Sequence, residues 1–78
     1  MKEKYEMRDV PQYIKWDVIK AAKIIRKPAT PLWNEYMVLL NRHLVAGGSD
    51  EDQFKFAFKL LLEKHNITEA DMTKEIQA

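Results

Sequence analysis

Helix-breaking residues divide this chain into four short stretches, and this division constrains its fold more than any other feature. The breaks fall at Pro11, Pro28, Pro31, Gly47-Gly48 and Asn66. Within the stretches, apolar residues recur every three or four positions, which is the spacing of one face of an α-helix. No stretch alternates between apolar and polar residues as a half-buried strand does. The sequence therefore predicts an all-α fold.

The first two predicted helices both begin near a proline, which suits the first helical turn. Helix 1 is predicted over about residues 11–26, because Pro28 disfavours helical backbone in the residue before it. Helix 2 is predicted over about residues 31–46, with Thr30 as its N-cap. Gly47 is suited to the left-handed conformation that ends many helices.

The last two predicted helices carry the clearest start signals. Ser49 precedes three consecutive acids, whose negative charge favours the positive end of a helix dipole, and predicts helix 3 over residues 50–65. Thr68, with Asp71 three residues later, has the form of a capping box and predicts helix 4 over residues 69–76. Together the four helices predict a compact bundle of three main helices plus a short C-terminal fourth helix.

The length of the chain allows one domain, over residues 1–78. Its first nine residues are rich in charge and precede the first helix signal, so a flexible N-terminal arm is predicted over residues 1–9. The centre of the core is predicted to contain six large side chains, Trp33, Tyr36, Leu40, Phe54, Phe58 and Leu61.

The chain contains no cysteine, which excludes disulfides, thiolate zinc sites and cysteine nucleophiles. Small secreted domains usually depend on such links, so this composition favours a reducing, cytoplasmic location. The N-terminal residues form no apolar signal segment, and no apolar run approaches the roughly 20 residues that cross a bilayer. The sequence therefore predicts a cytoplasmic protein without a membrane partner.

Few residues are candidates for catalysis or metal binding. Ser49, the only serine, is explained by its capping position. His43 and His65 fall on different predicted helices without the spacing of a metal motif. His43 is predicted to be partly buried on the apolar face of helix 2, and His65 is explained by the helix dipole. These residues predict a non-enzymatic protein without a metal or cofactor.

Helix 3 carries apolar residues outside its main apolar stripe. Phe56 and Leu60 project about 130–170° from the middle of that stripe, counting about 100° per residue. If they are exposed, they form a patch for a partner, with Lys55 and Lys59 as its polar rim. The alternative is a central helix 3 that buries both flanks. The leading hypothesis is a protein–protein interaction or regulatory module, whose partner is another protein or a second copy in a homodimer.

The second hypothesis rests on the charge of helix 1. Residues 1–46 hold nine Lys/Arg against five Asp/Glu, a net +4, whereas residues 47–78 hold four against seven, a net −3. On a helical wheel the basic residues of helix 1 spread over about 140°, with an aromatic ring among them. The set is Lys15, Trp16, Lys20, Lys23, Arg26 and Lys27. Such a face suits a nucleic-acid-binding or transcription-associated protein, and the competing interpretation is a solvated face.

Overall fold

Four α-helices and one short 3-10 helix make up the part of the chain that the structure describes. This computed structural model describes residues 4–77, and the side chains of residues 4–74. The 3-10 helix spans Met7–Asp9, and helices α1 to α4 span Gln12–Ile24, Ala29–Arg42, Asp50–Lys64 and Glu69–Gln77. The prediction of an all-α bundle with three main helices and a short fourth is therefore confirmed.

Helices α3 and α4 begin with reciprocal capping bonds. Asp52 N–H donates to Ser49 Oγ at 3.2 Å, while Ser49 N–H donates to Asp52 Oδ2 at 3.1 Å. Thr68 and Asp71 exchange the same two bonds, both at 3.1 Å. These bonds to Thr68 lower the pKa of the Asp71 carboxyl. The predicted start of each helix is confirmed.

The junction between α1 and α2 is tighter than the sequence suggested. Helix α1 ends at Ile24, because Arg26 adopts a left-handed conformation with a φ of 56°. Pro28 occupies the N-cap position of α2, so Thr30 lies inside the first turn instead of capping it. The predicted end of helix 1 and start of helix 2 are each corrected by this turn.

The end of α2 is set by a buried glutamine on α3. Gln53 Oε1 accepts a hydrogen bond from Val45 N–H at 2.5 Å, and Gln53 Nε2 donates to Val45 O at 2.7 Å. Because the amide satisfies both backbone groups of Val45, the chain leaves the helix after Arg42, and Gly47 makes the turn with a φ of 77°. The predicted extension of helix 2 to residue 46 is therefore wrong.

The core lies where α1, α2 and α3 meet, and α4 packs against α1. Helix α1 buries four residues of its predicted apolar stripe, Ile14, Val18, Ala21 and Ala22. Of the predicted central residues, Tyr36, Leu40, Phe54 and Leu61 are buried. Trp33 and Phe58 are half-buried and pack against the edge of the core.

The N-terminal segment is packed into this core. Tyr5 is 2% exposed, and its ring meets that of Phe54 edge to face, with 5.2 Å between the centroids. The Tyr5 hydroxyl donates to Asp50 Oδ1 at 2.6 Å, and the Tyr5 N–H donates to Asn41 Oδ1 at 2.6 Å. The expectation of a flexible arm is therefore corrected for residues 4–9, while residues 1–3 lie outside the described part.

Replacing Tyr5 tests how much this segment contributes to stability. Tyr5→Ala should lower the free energy of unfolding by about 3–5 kcal/mol, the cost of emptying a buried aromatic site. Tyr5→Phe keeps the ring and removes only the bond to Asp50, so about 1–2 kcal/mol should be lost. Urea unfolding followed by circular dichroism measures both values. A Tyr5→Ala protein as stable as the parent would show that the segment is not part of the core.

Candidate interaction surfaces

Helices α2 and α3 run antiparallel, and side-chain links at both ends of the pair fix their register. At one end, Glu35 contacts both Lys64 and His65. At the other end, Gln53 holds the backbone of Val45. Residues 38–42 of α2 therefore lie beside residues 56–60 of α3.

The outer side of this helix pair carries an apolar surface, which we call the α2–α3 face. The antiparallel register and the helical phase assign Val38 and Leu39 of α2 and Phe56 and Leu60 of α3 to this side, with Arg42 and Lys64 beside Val38 and Leu39. Val38 is 55% exposed and Phe56 is 37% exposed. Leu60 is half-buried and does not pack against the core cluster, whereas Leu39 does. A shallow depression of about 310 Å³ lies beside Val38 and Leu39, bordered by Arg42 and Lys64.

The two flanks of α3 have different environments. Phe58 and Leu62, on one flank, pack against the core, whereas Phe56 and Leu60, on the other, do not. The second flank of α3 is therefore only partly covered, with Phe56 37% exposed and Leu60 half-buried. Phe56 is the exposed member of the predicted pair, and Leu60 is only partly accessible.

Lys55 and Lys59 lie on the other side of Phe56 from Leu60. They line a groove of about 620 Å³ between α1, α3 and α4, together with Phe58. Lys55 Nζ lies 3.3 Å from Glu51 Oε1, one helical turn away. The structure therefore groups the two lysines with this groove, while Arg42 and Lys64 flank the α2–α3 face.

The α1 outer face, which we define as Tyr13, Trp16, Lys20 and Lys23, lies on the side of α1 away from its buried stripe, and at its edge the Tyr13 hydroxyl donates to Glu51 Oε1 of α3 at 3.4 Å. Trp16 is 57% exposed and Tyr13 is 45% exposed. Lys23 is exposed, and Lys20 is half-buried beside Asp17. Burial raises the pKa of Asp17, and the Lys20 ammonium opposes that shift.

The other basic residues predicted on helix 1 do not share this face. Lys15 is half-buried, about 100° around α1 from Trp16. Arg26 and Lys27 follow the end of α1, and the left-handed Arg26 breaks the helical phase. Lys27 lines a small depression together with Pro28 and other residues near the start of α2. Of the basic residues predicted on one face of helix 1, only Lys20 and Lys23 therefore lie on the α1 outer face.

The two histidines lie at opposite ends of the α2–α3 pair. His43 is exposed, because α2 ends before it, so its predicted partial burial is wrong. His65 Nε2 lies 2.5 Å from Glu35 Oε2. Among the described residues, no group of three His, Cys, Asp or Glu side chains could hold a metal ion.

Glu35 connects the start of α2 to the end of α3. Besides His65, it contacts Lys64, whose Nζ lies 3.6 Å from Glu35 Oε1. The hydrogen bond with His65 lowers the pKa of Glu35; burial opposes this shift, and the Lys64 charge adds to it. Glu35 therefore already has its polar partners, His65 and Lys64, within the molecule.

No protein-family model, curated protein or solved structure matches this chain. Within residues 4–77, no helix has the length and apolar character that crossing a membrane requires. The function is therefore inferred from the arrangement of the chain's own side chains.

Glu35→Gln should lower the melting temperature at neutral pH, because the hydrogen bond of the carboxylate with His65 is weakened and its charged contact with Lys64 is lost. The folded-state pKa of Glu35 is lowered, so its contribution is present above its usual 4.5 and is lost as the pH falls through the folded value. Thermal melts of parent and variant across pH should therefore show a difference that closes in acid. Glu69→Gln, at an exposed acid away from Glu35, is the control, and a difference that persists unchanged in acid would contradict the role of Glu35.

Proposed function

We propose that this chain is a non-enzymatic protein–protein interaction module, which pairs with a second copy of itself through the α2–α3 face. The observation that supports this proposal is that Val38 and Phe56 are exposed on two neighbouring helices. Leu39 and Leu60, on the same two helices, are half-buried. Covering apolar surface stabilises an association by about 25 cal/mol per Å². A surface formed by two antiparallel helices is also suited to packing against a similar pair.

The size of the face favours a reversible dimer. Helices α2 and α3 contain 14 and 15 residues. At 1.5 Å per residue each is about 21–23 Å long, and packed axes lie about 8–10 Å apart. The face is therefore smaller than a standard interface, which buries about 800 Å² on each partner. We expect monomer and dimer to exchange with protein concentration.

The charges at the two ends of the face favour a second copy as the occupant. Arg42 lies at the C-terminal end of α2, whereas Glu63 lies at the C-terminal end of α3, and these are opposite ends of the antiparallel pair. A twofold axis perpendicular to the helices brings Arg42 of each copy to the C-terminal end of α3 of the other, where Lys64 is already paired with Glu35 and Glu63 is not. An isologous interface makes this contact twice.

Arg42 and Glu63 are also available for such contacts. Neither makes an ion pair with another residue in the described side chains, residues 4–74. Glu35, by contrast, is already engaged by His65 and Lys64. Glu63, which also borders the groove between α1, α3 and α4, is therefore the acid without an ion pair at the C-terminal end of α3.

Val38→Glu should abolish self-association without unfolding the protein. Val38 is exposed in the monomer, but a dimer would bury a glutamate at two symmetry-related positions, so dissociation should become easier by about a hundredfold or more. Sedimentation velocity over a wide concentration range measures the monomer–dimer equilibrium, and circular dichroism checks the fold. The matched control is Trp16→Glu, at a similarly exposed position on α1.

The outcomes of this experiment separate the alternatives. Loss of the dimer in Val38→Glu, with the dimer retained in Trp16→Glu, supports the proposal. A parent protein that stays monomeric at every concentration overturns it. A dimer lost only in Trp16→Glu would place the interface on α1 and also overturn it.

A charge swap tests the proposed orientation of the two copies. Arg42→Glu and Glu63→Arg should each weaken the dimer by about three- to thirtyfold, because each replaces two attractive contacts by repulsive ones. The double variant restores both contacts with reversed polarity, so its dissociation constant should return towards that of the parent. A double variant weaker than either single one would show that the two ends do not meet.

A further inference from the structure

The α1 outer face carries an exposed aromatic side chain that the proposed dimer does not use. Trp16 is the most exposed large apolar residue among the described side chains. Tyr13 precedes it by about one turn and is also exposed, while Ile19 nearby is half-buried. One indole ring therefore projects into solvent from a face that is otherwise polar or partly covered.

Lysines outnumber acids on α1, while Glu51 of α3 reaches the edge of the α1 outer face, where it accepts a hydrogen bond from the Tyr13 hydroxyl at 3.4 Å. Helix α1 contains three lysines and one acid, Asp17. Asp17 lies about 100° around the helix from Trp16 and lines the groove between α1, α3 and α4. Lys20 and Lys23 follow Trp16 along the exposed side, about 6 and 10.5 Å further along the axis at 1.5 Å per residue. Lys23 makes no ion pair with any described side chain of residues 4–74.

We propose that the α1 outer face binds single-stranded nucleic acid. An unpaired base stacks on the Trp16 indole, and Lys20 and Lys23 contact phosphates of the nucleotides beside it. Aromatic side chains within a positively charged surface are the usual elements of single-strand recognition, because every base has a π-face and every nucleotide a negative charge.

The geometry favours a single strand over other anionic partners. A projecting indole cannot stack on a base that is already paired within a duplex, whereas an unpaired base is free to approach it. Binding to a membrane surface needs a continuous apolar face that enters the lipid, and here Ile19 and Ile24 are half-buried. The face therefore offers one ring and two cations, which matches a short length of single strand.

This surface is separate from the proposed dimer interface. Trp16 lies about 180° around α1 from the buried stripe of Val18 and its neighbours, which faces α2 and α3. The α2–α3 face lies on the surfaces of α2 and α3 that do not contact α1. Strand binding therefore does not depend on self-association, although a dimer would present two such faces and bind a long strand with higher avidity.

Fluorescence anisotropy of a labelled poly-thymidine oligonucleotide at low salt tests this inference. The parent protein should bind, and Trp16→Ala should weaken binding by about five- to a hundredfold through lost stacking. Val38→Ala, the matched control on the other side of the molecule, should leave it unchanged. With two phosphates neutralised, the slope of log K against log salt should be about −1.4, and Lys20→Gln with Lys23→Gln should flatten it.

Three results would overturn the proposal. The first is the failure of the parent protein to bind the strand at low salt. The second is binding that Trp16→Ala leaves unchanged and that heparin matches, which would indicate a simple cationic patch. The third is stronger binding to phosphatidylglycerol vesicles or to a duplex of the same length than to the single strand.

Discussion

The side-chain amide of Gln53 fixes the turn on which the rest of the structure depends. It is buried, and its two ends satisfy the backbone N–H and carbonyl of Val45. A buried amide without partners would be costly, so this arrangement strongly favours one path for the chain between α2 and α3. The register of the two helices, and with it the composition of the α2–α3 face, follows from that path.

Features of this fold that depend on neighbouring residues could be predicted from the sequence. The capping pairs that begin at Ser49 and Thr68 each involve residues three positions apart, so the sequence shows both partners at once. Asn66, with a φ of 56°, ends α3 as its residue type suggests. The number of helices and the apolar stripe of α1 follow from the same local patterns.

Features that depend on distant partners could not be predicted in this way. Tyr5 is one aromatic ring in a charged segment, and nothing near it in the sequence indicates a pocket formed by Asn41, Asp50 and Phe54. The early end of α2 depends in the same way on Gln53. Sequence periodicity reports which face of a helix is apolar, but it does not report what that face meets.

For the candidate surfaces, too, the sequence predicts what lies within one helix but not which residues of another helix lie beside it. The helical wheel correctly separates Phe56 and Leu60 from the main stripe of α3, because that separation is internal to one helix. It cannot show that Val38 and Arg42 of another helix lie beside them, since the antiparallel register sets this. Arg26 was misplaced because the wheel assumes a helix that has already ended.

The anchoring of Tyr5 also affects the order in which the protein can be completed during synthesis. This residue is synthesised before α2 and α3, yet its ring and hydroxyl partners belong to α3. The segment around Tyr5 can therefore dock only after α3 has been made. Until α3 is in place, Tyr5 has neither the Phe54 ring nor the Asp50 carboxylate to contact, so the docking of this segment depends on a part of the chain that is made later.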